Sequence, residues 1–186
     1  MASDARERMI AGATRLLAAR GPQETSFAQV IALTGVPRGS IYHHFPEGKE
    51  QLLAAALDSA GGRTADLLNQ IDGVPATEVI AYFLGLWREL LLRNDYRVDC
   101  SILATTIATD SAQLLGHAAA VFRAWRRQLA TMLTHGGLTD PDAQRFAVTL
   151  IAAAEGAVVI CRAERSLEPF DLVAEQLADH VASLVR

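Results

Sequence analysis

The side chains best suited to chemistry lie close together in residues 34–53, which read Thr34-Gly-Val-Pro-Arg-Gly-Ser-Ile-Tyr-His-His-Phe-Pro-Glu-Gly-Lys-Glu-Gln-Leu-Leu53. Arg38, Ser40, Tyr42, His43 and His44 place a guanidinium fork, hydroxyls and imidazoles within two helical turns, and Gly39 leaves the backbone bare among them. Such groups hydrogen-bond to phosphate oxygens and base edges, and a bare backbone position allows close approach to a bulky polyanion. On a helix, Ile41 and Phe45 stand four residues apart on one face, where they would anchor the segment and leave the other faces free. That pattern fits a recognition helix whose N-terminal end enters a DNA major groove.

The elements that must hold this helix are legible on either side of it. From Asp4 to Ala19, Met9, Ile10, Ala13, Leu16 and Leu17 recur at helical spacing until Gly21-Pro22 stops the pattern. Thr25 and Ser26 offer N-cap hydroxyls to a short helix carrying Phe27, Val30, Ile31 and Leu33, which Gly35 closes. The segment from Arg38 to Phe45 ends before Pro46. Two short helices around a tight glycine turn are the layout of a helix-turn-helix, held here on the core face of the first helix. A fourth helix begins at Lys49 with Leu52, Leu53, Ala56 and Leu57 on one stripe, and Gly61-Gly62 ends or bends it near Ala60. Further helices are expected at about 63–71, 76–94, 101–108, 110–135, 140–166 and 169–185, with no strand signal between them. The fold class is therefore all-α, with about nine helices: a helix-turn-helix domain over 1–48 and a helical body over 49–186.

Several function classes are disfavoured by what the chain contains. A net charge of -4 argues at first against a polyanionic partner, but residues 1–63 hold seven Lys and Arg against six Asp and Glu, and residues 64–186 hold ten against fifteen. The acidity belongs to the body, so the head is free to present a basic face locally. There is no G-x-S-x-G, no phosphate-cradling glycine loop and no evident acid–base carboxylate pair, so catalysis is not expected. His43, His44, His117, His135 and His180 lack ligand spacing, and Cys100 and Cys161 lie in apolar surroundings as buried free thiols, so neither metal nor cofactor is expected. No apolar leader and no run of 18 uninterrupted apolar residues occurs, which gives the expectation of a cytoplasmic protein with no membrane partner.

The Gly-Val turn, the Tyr42-His-His-Phe45 helix and the Lys49-Glu50 opening of the fourth helix resemble the helix-turn-helix of TetR-type transcriptional regulators. Glu155-Gly-Ala157, Arg162-Ala-Glu-Arg-Ser166 and Pro169-Phe170 resemble the LmrA/YxaF-like branch of that family. The resemblance implies a ligand-responsive regulator, most often a repressor, that binds double-stranded palindromic operator DNA as a homodimer. It also implies residue roles. Arg38 and His43 would face the groove, Gly39 would mark the closest backbone approach, and Tyr42 and His44 would touch phosphates. Ser40 belongs to the same surface, Lys49 matches the lysine opening the fourth helix, and Thr25 and Ser26 match the start of the second helix, which meets the phosphate backbone. Pro37 departs from the pattern by replacing a hydroxyl residue, and Gly48 is an extra residue before Lys49.

In the body, the family resemblance implies a dimer built from the last two helices. The candidate contacts are Ala153, Gly156, Ala157 and Ile160 with Leu177 and Val181, and the near-continuous apolarity of Phe146 to Cys161 implies burial on both faces of its helix. Phe83, Trp87, Ile102, Phe122 and Trp125 are candidate walls for a small lipophilic, aromatic effector, although aromatic residues at helical spacing also make ordinary cores. Glu155, isolated among alanines and valines, should be exposed, paired or functional, because burying a lone carboxylate is costly. The competing function is a DNA-binding structural or division-control protein of the same fold that answers to no small molecule.

Overall fold

The computed structural model describes residues 2–71, 73–97 and 100–185, with only the backbone of residues 2 and 3. Among these residues lie nine α-helices and no strand: α1 (Ala2–Arg20), α2 (Phe27–Thr34), α3 (Arg38–His44), α4 (Lys49–Asn69), α5 (Ala76–Arg93), α6 (Ser101–Ala108), α7 (Ala112–His135), α8 (Asp140–Glu164) and α9 (Glu168–Leu184). They form two compact units, one of Met1–Arg63 with Cys100–Phe122 and one of Thr64–Asp99 with Arg123–Arg186. The expected head, 1–48, lies within the first unit, which also takes in most of α4, all of α6 and the start of α7.

In the first unit, Met9, Ile10, Ala13, Leu16 and Leu17 of α1 bury the stripe that their spacing announced, and Val30, Ile41, Phe45, Leu52, Leu53, Ala56 and Leu57 are buried with them. The Thr14 hydroxyl lies 3.0 Å from the Ile10 carbonyl and 3.3 Å from that of Ala56, which ties α1 to α4. Asp58 of α4 meets Nδ1 of His117 of α7 at 2.9 Å. Phe27 and Ile31 are only half-buried, so Val30 alone carries the α2 contribution to the deep core.

The break expected near Ala60 does not occur, and α4 runs unbroken through Gly61 and Gly62. Glycine costs a helix interior about 1 kcal/mol relative to alanine, so something outside the helix must offset it. At Gly61 the reason is visible: a Cβ there would stand 2.7 Å from both Cγ atoms of Val121. The missing side chain lets α7 come close, and packing replaces the propensity that was lost.

In the second unit, Phe83, Leu84, Trp87 and Leu91 of α5, Phe146, Leu150, Ala154 and Val158 of α8, and Phe170, Leu177 and Val181 of α9 form the core. By length and composition α8 is apolar enough to cross a membrane, with a mean hydropathy of 1.8 over its most apolar stretch. Its apolarity has a packing use, since one face is buried against α5 and α9. The expectation of burial on both faces needs correction for the single chain, because Val148, Ala152, Gly156, Val159 and Ile160 on the other face are exposed. Asp95 and Tyr96, after α5, and Arg165, at the end of α8, take left-handed backbone angles. The Arg165 guanidinium donates to the Asp95 carboxylate at 2.9 Å, and that bond and charge hold the Asp95 carboxyl below the ordinary carboxylate range.

The two adjacent glycines of α4 should respond oppositely to alanine. Gly62→Ala, which meets nothing, is expected to stabilise the protein by about 1 kcal/mol. Gly61→Ala must displace the stiff Val121 side chain and is expected to lose about 1–3 kcal/mol to overpacking, against that same propensity gain. Urea denaturation of both variants measures the difference, and equal effects would show that Val121 does not set the helix spacing.

Candidate nucleic-acid interface

The short α2 is fixed at both ends by its own sequence. Ser26 is its N-cap, and a capping box forms in which the Ser26 hydroxyl accepts the Gln29 N–H at 3.3 Å while the Ser26 N–H donates to Gln29 Oε1 at 3.0 Å. At the other end Gly35 adopts a left-handed φ of 66°, and its N–H donates to the Ile31 carbonyl at 2.9 Å. This is a conformation that a side chain would strain, so the glycine in the turn is a requirement of the backbone. The chain then enters α3 through Pro37, which supplies no side-chain cap, as the departure from the family pattern implied.

On α3 the division of faces is clear. Ile41 and, just after the helix, Phe45 are buried. Arg38, Gly39, Tyr42 and His43 are exposed, and Ser40 and His44 are half-exposed. A cation in the first turn of a helix gains nothing from the helix dipole, so helix stability does not explain Arg38. A Cβ added at Gly39 would meet nothing, so the bare backbone there faces open space where a ligand could approach. Tyr42 is 55% exposed yet held edge-on by Phe27, with ring centroids 5.5 Å apart, and His43 and His44 stand edge to face at 5.1 Å. Three of the exposed or half-exposed side chains, Tyr42, His43 and His44, are thus positioned by ring contacts.

Three of the expected contacts are placed differently. Thr25 is buried, and its hydroxyl donates to the Gly21 carbonyl at 2.8 Å, so it fastens the α1–α2 loop and does not face outward. The Ser26 hydroxyl is occupied by the capping box. Lys49 is half-buried, and its ammonium donates to the Gln23 carbonyl at 3.3 Å, while the Gln23 side-chain amide in turn donates to the Ala108 carbonyl at the end of α6. One feature escaped the sequence reading: the Arg6 guanidinium lies over the Phe45 ring, 5.6 Å from its centroid. Its signal was the register, since Arg6 precedes Met9 and Ile10 by three and four residues and so extends the apolar stripe.

In the second unit Phe83, Trp87 and Trp125 come together edge to face, with centroids 6.1 Å and 6.5 Å apart, and all three are buried. Glu155 is buried in the same unit, so of its three expected fates exposure is excluded. Ile102 and Phe122 belong to the first unit, the former buried and the latter half-buried. Of the candidate dimer contacts, Gly156 and Ile160 are exposed and Ala153 is half-exposed. Ala157, Leu177 and Val181 are buried within their own chain, which corrects their placement on the outer surface. Cys100 and Cys161 are buried and form no disulfide, and burial pushes the Cys161 thiol up.

A glycine-turn helix pair, with the second helix anchored by Ile41 and Phe45 and presenting Arg38, Tyr42 and His43, defines a helix-turn-helix DNA-binding protein. Residues 9–56 match the bacterial regulatory proteins of the tetR family, and residues 76–176 match the C-terminal domain of LmrA/YxaF-like transcriptional regulators. Over 179 residues the chain is 35% identical to an uncharacterized HTH-type transcriptional regulator of Mycobacterium tuberculosis, covering 92% of this chain and 91% of that one. It is 26% identical over 178 residues to the regulator YxaF of Bacillus subtilis, covering 94% and 93% of the two chains. The crystal structure of a TetR transcriptional regulator from Chloroflexus aurantiacus superposes with a TM-score of 0.80 at 30% identity, covering 100% of this chain and 98% of that one. The chain belongs to the TetR family of transcriptional regulators, in its LmrA/YxaF-like branch. It is a DNA-binding regulator and not an enzyme.

The buried Thr25 hydroxyl separates support from contact. Thr25→Val keeps the shape and removes the bond to Gly21, so it should lower folding stability by about 1 kcal/mol. Duplex binding measured well below the melting temperature should be unchanged. Weakened binding in a fully folded Thr25→Val protein would return this residue to the contact surface.

Proposed function

We propose that the chain is a repressor that binds a palindromic operator as a homodimer and leaves it when a small lipophilic, aromatic effector binds in the body. The observation that carries this reading is the pairing of a ready-made groove-reading surface on α3 with an unsatisfied apolar face on α8. Arg38, Ser40, Tyr42, His43 and His44 would make the DNA contacts, with Gly39 at the closest approach. Arg38 and His43 would read base edges and the others would hold phosphates. Lys49 would contribute through the α1–α2 loop that it already holds.

The dimer is supported by Val148, Ala152, Gly156, Val159 and Ile160, which leave an apolar strip exposed along several turns of α8. A Cβ at Gly156 would meet nothing within its own chain, so a partner helix could approach closely there. A two-fold pair formed through this strip repeats α3 about the same axis, which is the symmetry that a palindromic operator asks for. Ala153 lies at the edge of the strip, while Ala157, Leu177 and Val181 support it from inside.

The effector reading is supported by the aromatic cluster of Phe83, Trp87 and Trp125 in a unit that also buries Glu155. Aromatic walls supply burial, and a carboxyl group would fix orientation. Release requires that the effector prefer the conformation in which two α3 helices no longer match successive grooves, since equal affinity for both states shifts nothing. The close packing of the three rings equally suits a DNA-binding protein of this fold with a solid body and no effector, and the experiment below separates the two.

Charge placed on the exposed strip should disrupt association. Ile160→Glu is expected to give monomers by light scattering at concentrations where the wild type is dimeric, and to bind an operator selected from random duplexes more weakly. A wild type that is monomeric at micromolar concentration would end the dimer proposal.

Arg38→Ala is expected to weaken binding and to relax base preference in such a selection, whereas Tyr42→Ala should weaken binding on all sequences alike. Unchanged affinity in both would refute the proposed contacts.

Lipophilic compounds that quench Trp87 and Trp125 should weaken operator binding roughly 5- to 150-fold, which corresponds to a coupling of about 1–3 kcal/mol. Quenching with operator affinity intact would favour the reading without an effector.

A further inference from the structure

We propose that Arg6 is a further DNA-contacting residue, which takes a backbone phosphate at the end of α3 opposite Arg38. The inference rests on the assignment of α3 as the recognition helix. It begins from a misplaced charge. Met9, Ile10, Ala13 and Leu17 form the buried stripe of α1, and Arg6 precedes them by three, four, seven and eleven residues, which sets it on the same face. Arg8 and Arg15, by contrast, lie on the outward face. A charge that continues an apolar stripe would ordinarily be replaced by another apolar residue or neutralised by an acid. Arg6 remains exposed and makes no ion pair among the described residues.

What holds Arg6 is the Phe45 ring, with the guanidinium 5.6 Å from the centroid. Phe45 is 1% exposed and directly follows the last residue of α3, so the cation lies against the C-terminal end of that helix. Contact between α1 and α3 maintains that arrangement. Stacking on a ring leaves the edge of a guanidinium free, and the edge is where its hydrogen-bond donors lie.

The spacing gives the site its ligand. Arg38 opens α3 and Arg6 lies over the residue that follows it, so the backbone positions that carry the two cations are one seven-residue helix apart. At about 1.5 Å per residue this is roughly 10 Å. The DNA major groove is about 12 Å wide between its bordering backbones. A helix that sets Arg38 on base edges within the groove would therefore carry Arg6, about one helix length away, to a bordering backbone, with His43 between them facing the bases. Arginine suits the role because it stays charged and can bind a phosphate with two donors while stacked.

The test compares Arg6→Gln, Arg6→Lys, Arg15→Gln and Arg38→Ala in the full-length protein by titrating a mixed-sequence duplex between about 50 and 200 mM salt. Arg6→Gln and Arg15→Gln change the net charge equally, but only the first removes the proposed contact. Arg6→Gln should weaken binding on the order of tenfold and make the salt slope shallower by about 0.9 per bound subunit. Arg6→Lys should keep the slope while losing part of the affinity. Arg15→Gln should behave as the wild type. Thermal melts establish that all four proteins are folded at the temperature of the titration. A folded Arg6→Gln protein that matches the wild type, or an Arg15→Gln protein that matches Arg6→Gln, would overturn the proposal and leave Arg6 as a cover for the Phe45 ring. If Arg38→Ala also has no effect, the recognition-helix assignment fails first and takes this inference with it.

Discussion

A helix of two turns does not hold its shape in water, because the cost of nucleating it is not repaid over so few hydrogen bonds. The geometry of α3 is therefore set by its attachment, and the attachment consists chiefly of two side chains. Ile41 and Phe45 are fully buried, and they fix which face of α3 is turned outward. The neighbouring devices serve the same end. The capping box of Ser26 and Gln29 and the left-handed Gly35 fix α2 and the turn, so the chain enters α3 at one angle only. Thr25 secures the preceding loop, and the Thr14 hydroxyl ties α1 to α4 beneath it. The exposed, polar face of α3 is thus held by an apolar, buried one, and precision in the first depends on packing in the second.

The body meets a different constraint. Its longest helix, α8, is apolar around nearly its whole circumference, yet a single chain can cover only one side of it. The inner side is filled by Phe146, Leu150, Ala154 and Val158 against α5 and α9. The outer side exposes Val148, Val159 and Ile160 to water, about 46% of each side chain's residue surface. A contiguous apolar strip of this kind is the surface through which we propose that two copies pair. The sequence property that makes α8 long and apolar enough to span a membrane puts one face in the core and leaves the other exposed.

The head was largely legible in the sequence because its structure is specified locally. The stripe from Met9 to Leu17, the hydroxyl before α2, Gly35 in the turn and the spacing of Ile41 and Phe45 all act within a few residues of where they stand. What was not legible depended on distant partners. Gly61-Gly62 has the local signature of a break, and only Val121, sixty residues away, explains why α4 continues. Thr25 and Ser26 are adjacent hydroxyls of equal promise in sequence, and the structure gives one a buried loop bond and the other a cap. On α8 and α9, small and branched apolar residues appear on all sides, so sequence alone does not divide Gly156 and Ile160, which face outward, from Ala157, Leu177 and Val181, which face the core. The register of Arg6 on the apolar stripe of α1 is visible in the sequence, but the ring that it covers, Phe45, is thirty-nine residues away.

The central claim is that α3, short and marginal by itself, is the element that DNA engages. Hydrogen exchange of the whole chain with and without an operator selected from random duplexes measures this directly, since a bound major groove must suppress the opening of a two-turn helix. The account predicts that amides of residues 38–45 gain more protection on DNA binding than those in the interior of any longer helix. Unchanged exchange across 38–45, with new protection confined to α8 or α9, would contradict it.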